Sequence, residues 1–141
     1  MQKVIALTGA SGNMGRETLE QLFESDVVGK IKALLMSGRR EKRLAREWKR
    51  KYGAKFEAIF GDIANIEDCR TLVQGSDYVL NLAAVIPPTA DHYPALTDRC
   101  NRLGAMNIVD AVSEIKDNQP KLVHISTVAI YGNRNYKHPW G

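Results

Sequence analysis

The apolar positions of this chain fall into short continuous runs that alternate with stretches of helical spacing. The runs predict five buried strands, at residues 4–7, 31–36, 56–60, 77–83 and 121–126. The helical spacing predicts helices from residue 16 and at residues 41–52, 66–73 and 94–115, with a loop after Pro87 and Pro88. Strands and helices alternating in this way predict an α/β fold, a doubly wound parallel sheet in the order 3-2-1-4-5.

Length and composition favour one globular domain over residues 1–141. The 141 residues are 44% hydrophobic and 26% charged, as in soluble proteins that bury a core. No apolar run approaches the roughly 20 residues that cross a bilayer, and the N-terminus does not resemble a signal peptide. Cys69 and Cys100 are far apart and predict neither a disulfide nor a metal site. We therefore expect a cytoplasmic protein with no membrane partner.

Three glycines follow the first predicted strand, at positions 9, 12 and 15. Gly9 would let the chain turn sharply, Gly12 would leave room for a phosphate, and Gly15 would let the next helix pack closely. That helix would direct its free N–H groups and its positive dipole end at the turn. The pattern is typical of a dinucleotide-binding turn, formed by Gly9, Ser11, Gly12, Asn13, Met14 and Gly15. A turn that only joins a strand to a helix is the alternative.

The stretch after the second predicted strand is strongly basic, although the formal net charge is only +4. Only Glu41 and Glu47 oppose its eight basic residues, which are Arg39, Arg40, Lys42, Arg43, Arg46, Lys49, Arg50 and Lys51. Such a stretch can bind nucleic acid. We favour a solvated helix face with Leu44, Ala45 and Trp48 turned inward, and expect no nucleic-acid partner.

The predicted strand ends carry short motifs that occur together in one known family. They are Thr-Gly-Ala-Ser-Gly-Asn-Met-Gly at 8–15, Gly-Asp at 61–62, Asn-Leu-Ala-Ala at 81–84 and Ser-Thr-Val-Ala-Ile-Tyr-Gly at 126–132, together with Asn101 in the long helix. In this order they resemble the extended short-chain dehydrogenase/reductase family, which includes NAD(P)-dependent nucleotide-sugar epimerases, dehydratases and reductases. The resemblance covers nearly the whole chain and implies a Rossmann fold with a nicotinamide dinucleotide.

The resemblance also implies a role for each matching residue. The glycine turn would hold the pyrophosphate. Asp62 would accept a hydrogen bond from the adenine amino group, with Ile63 beside it. Ala83 and Ala84 would lie along the ribose and nicotinamide, and Asn101 would support the strand ends near the active site. A simpler interpretation of Asp62 stays open, namely that it only caps the following helix.

Thr127 matches the catalytic Ser/Thr of the family, whose hydroxyl polarises the substrate carbonyl or hydroxyl. A hydroxyl suits this task because it can donate to an oxygen that gains charge as hydride moves. Ordinary packing at a strand end is the alternative for Thr127.

The end of the second predicted strand departs from the family pattern. The family usually has an acidic residue there that binds both hydroxyls of the adenosine ribose. This chain has no carboxylate to repel a 2′-phosphate, but it offers the hydroxyl of Ser37 and the guanidinium groups of Arg39 and Arg40. NADP is therefore favoured over NAD, with exposed arginines of a helix face as the alternative.

The family's proton donor, a Tyr-x-x-x-Lys pair, is missing from this chain. Four positions after its tyrosines, at 52, 78, 93, 131 and 136, stand Phe56, Leu82, Thr97, Asn135 and Trp140. In the family the pair follows the Tyr-Gly seen here at 131–132. We therefore expect the chain to be the N-terminal, cofactor-binding portion of a longer enzyme, without the later strands and the substrate-binding lobe, and inactive alone.

The leading hypothesis is thus the NAD(P)-binding portion of an epimerase, dehydratase or reductase that transfers hydride at a substrate hydroxyl or carbonyl. The resemblance implies a small-molecule substrate, possibly a nucleotide sugar, and a homo-oligomer. A non-catalytic dinucleotide-binding module that senses redox state or regulates a partner is the alternative.

Overall fold

One parallel sheet of five strands forms the centre of the molecule. A computed structural model describes residues 1–127 and gives the strand order β3-β2-β1-β4-β5. The strands are β1 (Lys3–Thr8), β2 (Val28–Leu35), β3 (Phe56–Phe60), β4 (Tyr78–Asn81) and β5 (Lys121–His124). Every neighbouring pair is parallel. The predicted α/β class, the doubly wound sheet and the strand order are confirmed.

Six α-helices lie between or beside these strands in the described residues. They are α1 (Asn13–Glu24), α2 (Arg39–Tyr52), α3 (Ile66–Val73), α4 (Thr89–His92), α5 (Pro94–Thr97) and α6 (Ala105–Ser113). A 3₁₀ turn, Gly53–Lys55, follows α2, and a π-helical segment, Asp98–Gly104, joins α5 to α6.

Several predicted element bounds were wrong. The predicted loop after the two prolines contains α4, and the predicted helix at 94–115 is divided by the π-helical segment and ends at Ser113. Pro94 separates α4 from α5 because it lacks an N–H and lies in the first turn of α5. In addition, β2 begins three residues before the predicted start, at Val28, and β4 and β5 are shorter than predicted.

Each face of the sheet has its own buried core. One cluster joins the sheet to α1 and α2 through side chains such as Leu7, Leu19 and Phe56. The other joins the opposite face to α3 and α6, and includes Val79 and Ile108. Because helices cover both faces of the sheet, its inner strands are continuous apolar runs in the sequence. The prediction that the fifth strand is buried was wrong, because Lys121, Val123 and His124 of β5 are exposed at the edge of the sheet.

The basic helix α2 packs through its apolar stripe, as the favoured interpretation of the sequence expected. Leu44 and Ala45 are buried, and Trp48 lies edge-on to Phe56 with ring centroids 5.6 Å apart. Among its eight basic side chains, that of Arg40 hydrogen-bonds to the glycine turn, and those of Lys42, Arg43, Arg46 and Arg50 are exposed. No helix among residues 1–127 is long and apolar enough to cross a membrane.

Candidate dinucleotide site

The glycine turn after β1 is held tightly against the loop after β4. Gly9 has a φ of +73°, in the left-handed region that side chains rarely adopt. A Cβ at Gly9 would also lie 2.7 Å from the backbone nitrogen of Ala83 and 2.7 Å from the carbonyl carbon of Leu82. Glycine is therefore required here both by backbone conformation and by the approach of a neighbouring strand end.

Gly15 and Gly12 differ in what surrounds them. A Cβ at Gly15 would overlap the carbonyl oxygen of Gly9 and lie 2.7 Å from the Cα of Ala10, so this glycine lets α1 pack onto the turn. A Cβ at Gly12 would meet only the Gly9 carbonyl oxygen, at an ordinary 3.5 Å. The packing of the protein itself therefore explains Gly9 and Gly15 but does not explain Gly12.

The first turn of α1 opens beside this glycine turn. Gly12 is the N-cap residue, and within residues 1–127 no side-chain cap accepts a hydrogen bond from the first backbone N–H groups of the helix. Asn13 and Met14 are exposed, whereas Gly15 is buried. A helix start of this kind offers N–H donors and a positive dipole end to an anion.

Two arginines converge on one carbonyl oxygen of the turn. Nη2 of Arg40 donates to the carbonyl oxygen of Ser11 at 3.1 Å, and Nε of Arg16 donates to the same oxygen at 3.2 Å. Arg40 was predicted from the sequence, whereas Arg16 was not. The signal for Arg16 was its place one residue after the last motif glycine, in the exposed first turn of a helix that faces the turn.

The start of α2 contacts the glycine turn through Arg40. Ser37 and Arg39 are exposed at the end of β2 and the start of α2, and Gly38 is the N-cap residue. Glu41 approaches Arg40 at 3.8 Å, so a carboxylate is present near this arginine after all, one residue further along the chain.

Asp62 follows β3 and is fixed by two donors. Its Oδ1 accepts from the Ala64 N–H at 2.8 Å, and its Oδ2 accepts from Nη2 of Arg99 at 3.0 Å. The Ala64 hydrogen bond, and to a smaller extent Arg99, lower the pKa of Asp62 despite an opposing effect of partial burial. The helix cap is Asn65, whose Oδ1 accepts from the Glu67 N–H at 3.0 Å, so the capping alternative for Asp62 was wrong.

Ile63 lies beneath the π-helical segment. A Cβ at Gly104 would lie 2.8 Å from Cγ2 of Ile63, and Nδ2 of Asn107 donates to the Ile63 carbonyl oxygen at 3.0 Å. The residue beside Asp62 therefore anchors the strand end to the helix that packs on it.

The loop after β4 is held on one side by Thr8 of β1 and on the other by Asn101. The Oγ1 of Thr8 accepts from the N–H groups of Leu82 and Ala83, each at 3.1 Å. Ala83 is half-buried, and Ala84 is exposed.

Asn101 makes two hydrogen bonds to the same loop. Its Oδ1 accepts from the Val85 N–H at 2.8 Å, and its Nδ2 donates to the Val85 carbonyl oxygen at 2.9 Å. The structure thus brings together the glycine turn, Arg40 and the loop after β4, while Asp62 contacts the long helical stretch instead.

Thr127 is the last described residue and is exposed after β5. The predicted Tyr-Gly at 131–132 and the tyrosines at 131 and 136 lie outside the described residues. Within residues 1–127, no group of three or more His, Cys, Asp or Glu side chains is placed to hold a metal ion.

Comparison with known proteins identifies the family. The sequence matches the NAD dependent epimerase/dehydratase family over residues 5–139. The chain belongs to this family. The resemblance stated from the strand-end motifs is therefore confirmed, as are the expectations of an NAD-binding Rossmann fold and of kinship with short-chain dehydrogenases/reductases.

Curated epimerases are similar to this member of the epimerase/dehydratase family along most of its length. A UDP-glucose 4-epimerase of Rickettsia canadensis is 31% identical over 128 residues, which are 90% of this chain and 37% of that protein. The UDP-glucose 4-epimerase of Rickettsia prowazekii is 28% identical over the same share of each chain. The chain thus spans little more than a third of the length of these relatives.

Solved structures show the same fold. A nucleoside-diphosphate-sugar epimerase from Agrobacterium tumefaciens has a TM-score of 0.71 at 21% identity, over 92% of this chain and 39% of that one. A uronate dehydrogenase variant from Agrobacterium tumefaciens, solved with NAD, has a TM-score of 0.65 at 20% identity, over 90% of this chain and 42% of that one. A short-chain dehydrogenase/reductase from Saccharomyces cerevisiae has a TM-score of 0.70 at 25% identity, over 90% and 54%.

Proposed function

We propose that this chain binds NADP(H) at the carboxyl ends of its strands, as the cofactor-binding part of an epimerase, dehydratase or reductase that transfers hydride at a substrate hydroxyl or carbonyl. The observation that carries the proposal is Gly12. Packing within the protein accounts for Gly9 and Gly15, but a side chain at Gly12 would be tolerated by the chain itself. A ligand close to the backbone at that point gives the missing reason for glycine.

The pyrophosphate would bind at the start of α1. Asn13 and Met14 are exposed there, and no side chain of the described part of the chain caps the helix. Backbone N–H groups at such a position donate to phosphate oxygens, and the helix dipole favours the negative charge.

The choice of NADP over NAD rests on the two arginines at the Ser11 carbonyl. Arg16 and Arg40 place two guanidinium groups around one oxygen, which concentrates positive charge beside the turn. A 2′-phosphate could accept charge-assisted hydrogen bonds from both, with Ser37 and Arg39 nearby in sequence. Glu41 offsets part of the charge of Arg40, so the contribution of Arg16 is needed to make the region favourable for a dianion.

The remaining residues would hold the two ends of the dinucleotide. Asp62 would accept from the adenine amino group, because an ionised carboxylate offers acceptor lone pairs and no donor. Ala83 and Ala84 would border the ribose and nicotinamide, and Asn101 would hold their loop through Val85. Thr127 would donate to the substrate oxygen. A nucleotide sugar is the proposed substrate class, by analogy with the epimerase relatives, and a second copy of the chain is the proposed partner.

Calorimetric titration of NADPH tests the proposal with Gly12→Val. We expect the variant to keep its fold and to lose at least about tenfold in affinity, or 1.4 kcal/mol. Ala54→Val adds the same kind of side chain in the exposed turn after α2 and should bind like wild type. Equal affinity in wild type and Gly12→Val would overturn the assignment, and thermal denaturation of each variant checks that its fold is intact.

A further inference from the structure

Three polar side chains form a row at the carboxyl ends of β1, β4 and β5. Thr8 of β1 is paired in register with Asn81 of β4, and Asn81 is paired with His124 of β5. Side chains two residues earlier on two of these strands, Ala6 and Val79, belong to the core beneath α3 and α6. Because strand side chains alternate between faces, the whole row lies on that same face.

The hydroxyl of Thr8 can only donate to its neighbour Asn81, because both of its acceptor positions are occupied. Its Oγ1 already accepts from the backbone N–H groups of Leu82 and Ala83, each at 3.1 Å. A hydroxyl oxygen has two lone pairs and one proton, so both lone pairs are occupied and only the proton remains. That proton is donated to Oδ1 of Asn81 across 2.6 Å.

This fixed role orients the amide of Asn81. Turning the amide over would aim its NH₂ group at an oxygen with no lone pair left and would leave the hydroxyl proton unpaired. Thr8 and Asn81 are 1% and 3% exposed, so water could not compensate either group. The NH₂ group of Asn81 must therefore face His124, whose Nδ1 lies 3.1 Å away.

An amide NH₂ group only donates, so Nδ1 of His124 must accept. A histidine that accepts at Nδ1 is neutral and carries its proton on Nε2. The ring is exposed at the carboxyl end of β5, three residues before Thr127.

We propose that Asn81 is a positioning residue, which holds His124 as the Nε2–H tautomer and thereby fixes the end of β5 that leads to Thr127. The part of this inference that concerns Thr127 rests on the proposed function. Through Thr8 the same network holds Leu82 and Ala83, so it joins the proposed cofactor loop to β5, the strand that precedes the proposed catalytic residue Thr127.

The tautomer can be measured directly. Long-range ¹H–¹⁵N correlation spectra of the imidazole rings distinguish a protonated from an unprotonated Nδ1, and the signals of His124 are assigned by their loss in His124→Gln. We expect wild type at neutral pH to show Nε2 protonated and Nδ1 unprotonated. Thr8→Ser keeps the hydroxyl and should keep that tautomer.

Asn81→Asp should change which ring nitrogen of His124 carries the proton. A carboxylate still accepts from Thr8 but cannot donate to the ring, so Nδ1 of His124 must become protonated. The backbone amide signal of Thr127 should shift with it. Asn65→Asp is the matched control, because aspartate caps α3 as well as asparagine does and the site is exposed. It should change neither the His124 tautomer nor the Thr127 signal.

The wild-type spectrum decides the proposal without any variant. A protonated Nδ1 on His124 in wild type would overturn it, and so would an Asn81→Asp protein that folds and keeps Nδ1 unprotonated. A third outcome separates the two proposals. If Asn81→Asp changes the His124 tautomer and the Thr127 amide signal as expected but NADPH does not bind wild type, the proposed function fails while the positioning role of Asn81 stands.

Discussion

The backbone of Gly15, in the first turn of α1, lies directly against the carbonyl oxygen of Gly9. A Cβ on Gly15 would overlap that oxygen and approach the Cα of Ala10 to 2.7 Å. Both obstacles are backbone atoms of a turn that is itself held against the loop after β4, so neither can move freely.

Gly15→Ala should therefore destabilise the fold. Overpacking of this kind costs about 1–3 kcal/mol, and we expect the free energy of unfolding in urea to fall by at least that much. Gly12→Ala is the matched control, because its Cβ meets only an ordinary contact at 3.5 Å. Equal stability of the two variants would contradict the close packing of α1 on the turn.

Removal of the arginines should weaken NADPH binding more than NADH binding. Arg16→Ala, Arg39→Ala and Arg40→Ala each remove a cation that could pair with a 2′-phosphate. A charge-assisted hydrogen bond contributes about 1.5–3 kcal/mol, which corresponds to roughly ten- to a hundredfold in affinity. Parallel calorimetric titrations with the two cofactors measure the difference.

Arg50→Ala is the control for this series, because Arg50 is an exposed arginine in the last turn of the same helix. It changes the net charge by the same amount without touching the turn. The 2′-phosphate assignment would be wrong if Arg40→Ala lowered the affinity for both cofactors equally, or if Arg50→Ala had the same effect as Arg40→Ala.

Asp62 should stabilise the fold in a pH-dependent manner. Its pKa is lowered, chiefly by the Ala64 N–H and then by Arg99, so its contribution is present above the unfolded pKa of about 3.9 and is lost as pH falls through the folded value. Asp62→Asn should lower the free energy of unfolding at pH 7 by less than about 1 kcal/mol, because the ion pair is half exposed.

The gap between wild type and Asp62→Asn should close as the pH is lowered below 4 in urea denaturation. At pH 7, Arg99→Gln should lower the free energy of unfolding by less than Asp62→Asn does, because the hydrogen bond from the Ala64 N–H to the Asp62 carboxylate remains. A gap that stays constant with pH would show that the carboxylate charge does not carry the effect.

Asn101 should control the opening of the loop after β4. Asn101→Ala removes both hydrogen bonds to Val85, each of which contributes about 0.5–1.5 kcal/mol. Amide hydrogen exchange at Val85 should therefore accelerate by roughly five- to a hundredfold. The amide of Val79, inside β4, should exchange as in wild type. Unchanged exchange at Val85 would show that Asn101 does not hold the loop.

Local patterns in the sequence predicted much of this protein. Apolar runs located all five strands, and β3 and α3 were predicted to the residue, because buried strands and amphipathic helices leave periodic signatures. Alternation of the two element types gave the parallel sheet and its order. The glycine spacing indicated the turn after β1, because a sharp turn and a close helix both require residues without a side chain.

The long helical stretch shows where such patterns fail. Helical spacing after Pro94 predicts one regular helix, yet residues 98–104 are π-helical. There Asn101 is tied to Val85, and Gly104 lies against Ile63. Contacts with two other segments decide this backbone, and periodicity along one segment does not encode them.

The sequence by itself determined the class of fold and the place of the glycine turn, since both follow from residues close together in the chain. The strand order was predicted from the alternation of strands and helices, because parallel strands are joined by right-handed crossovers. Only the tertiary structure paired Arg40 with Ser11, 29 positions apart, and Asn81 with His124, 43 positions apart. It also showed that Asn65 caps α3 while Asp62 binds Arg99. Hydrogen-bond partners of this kind depend on which strand ends meet and on which donors and acceptors are already occupied, and both are settled only when the chain has folded.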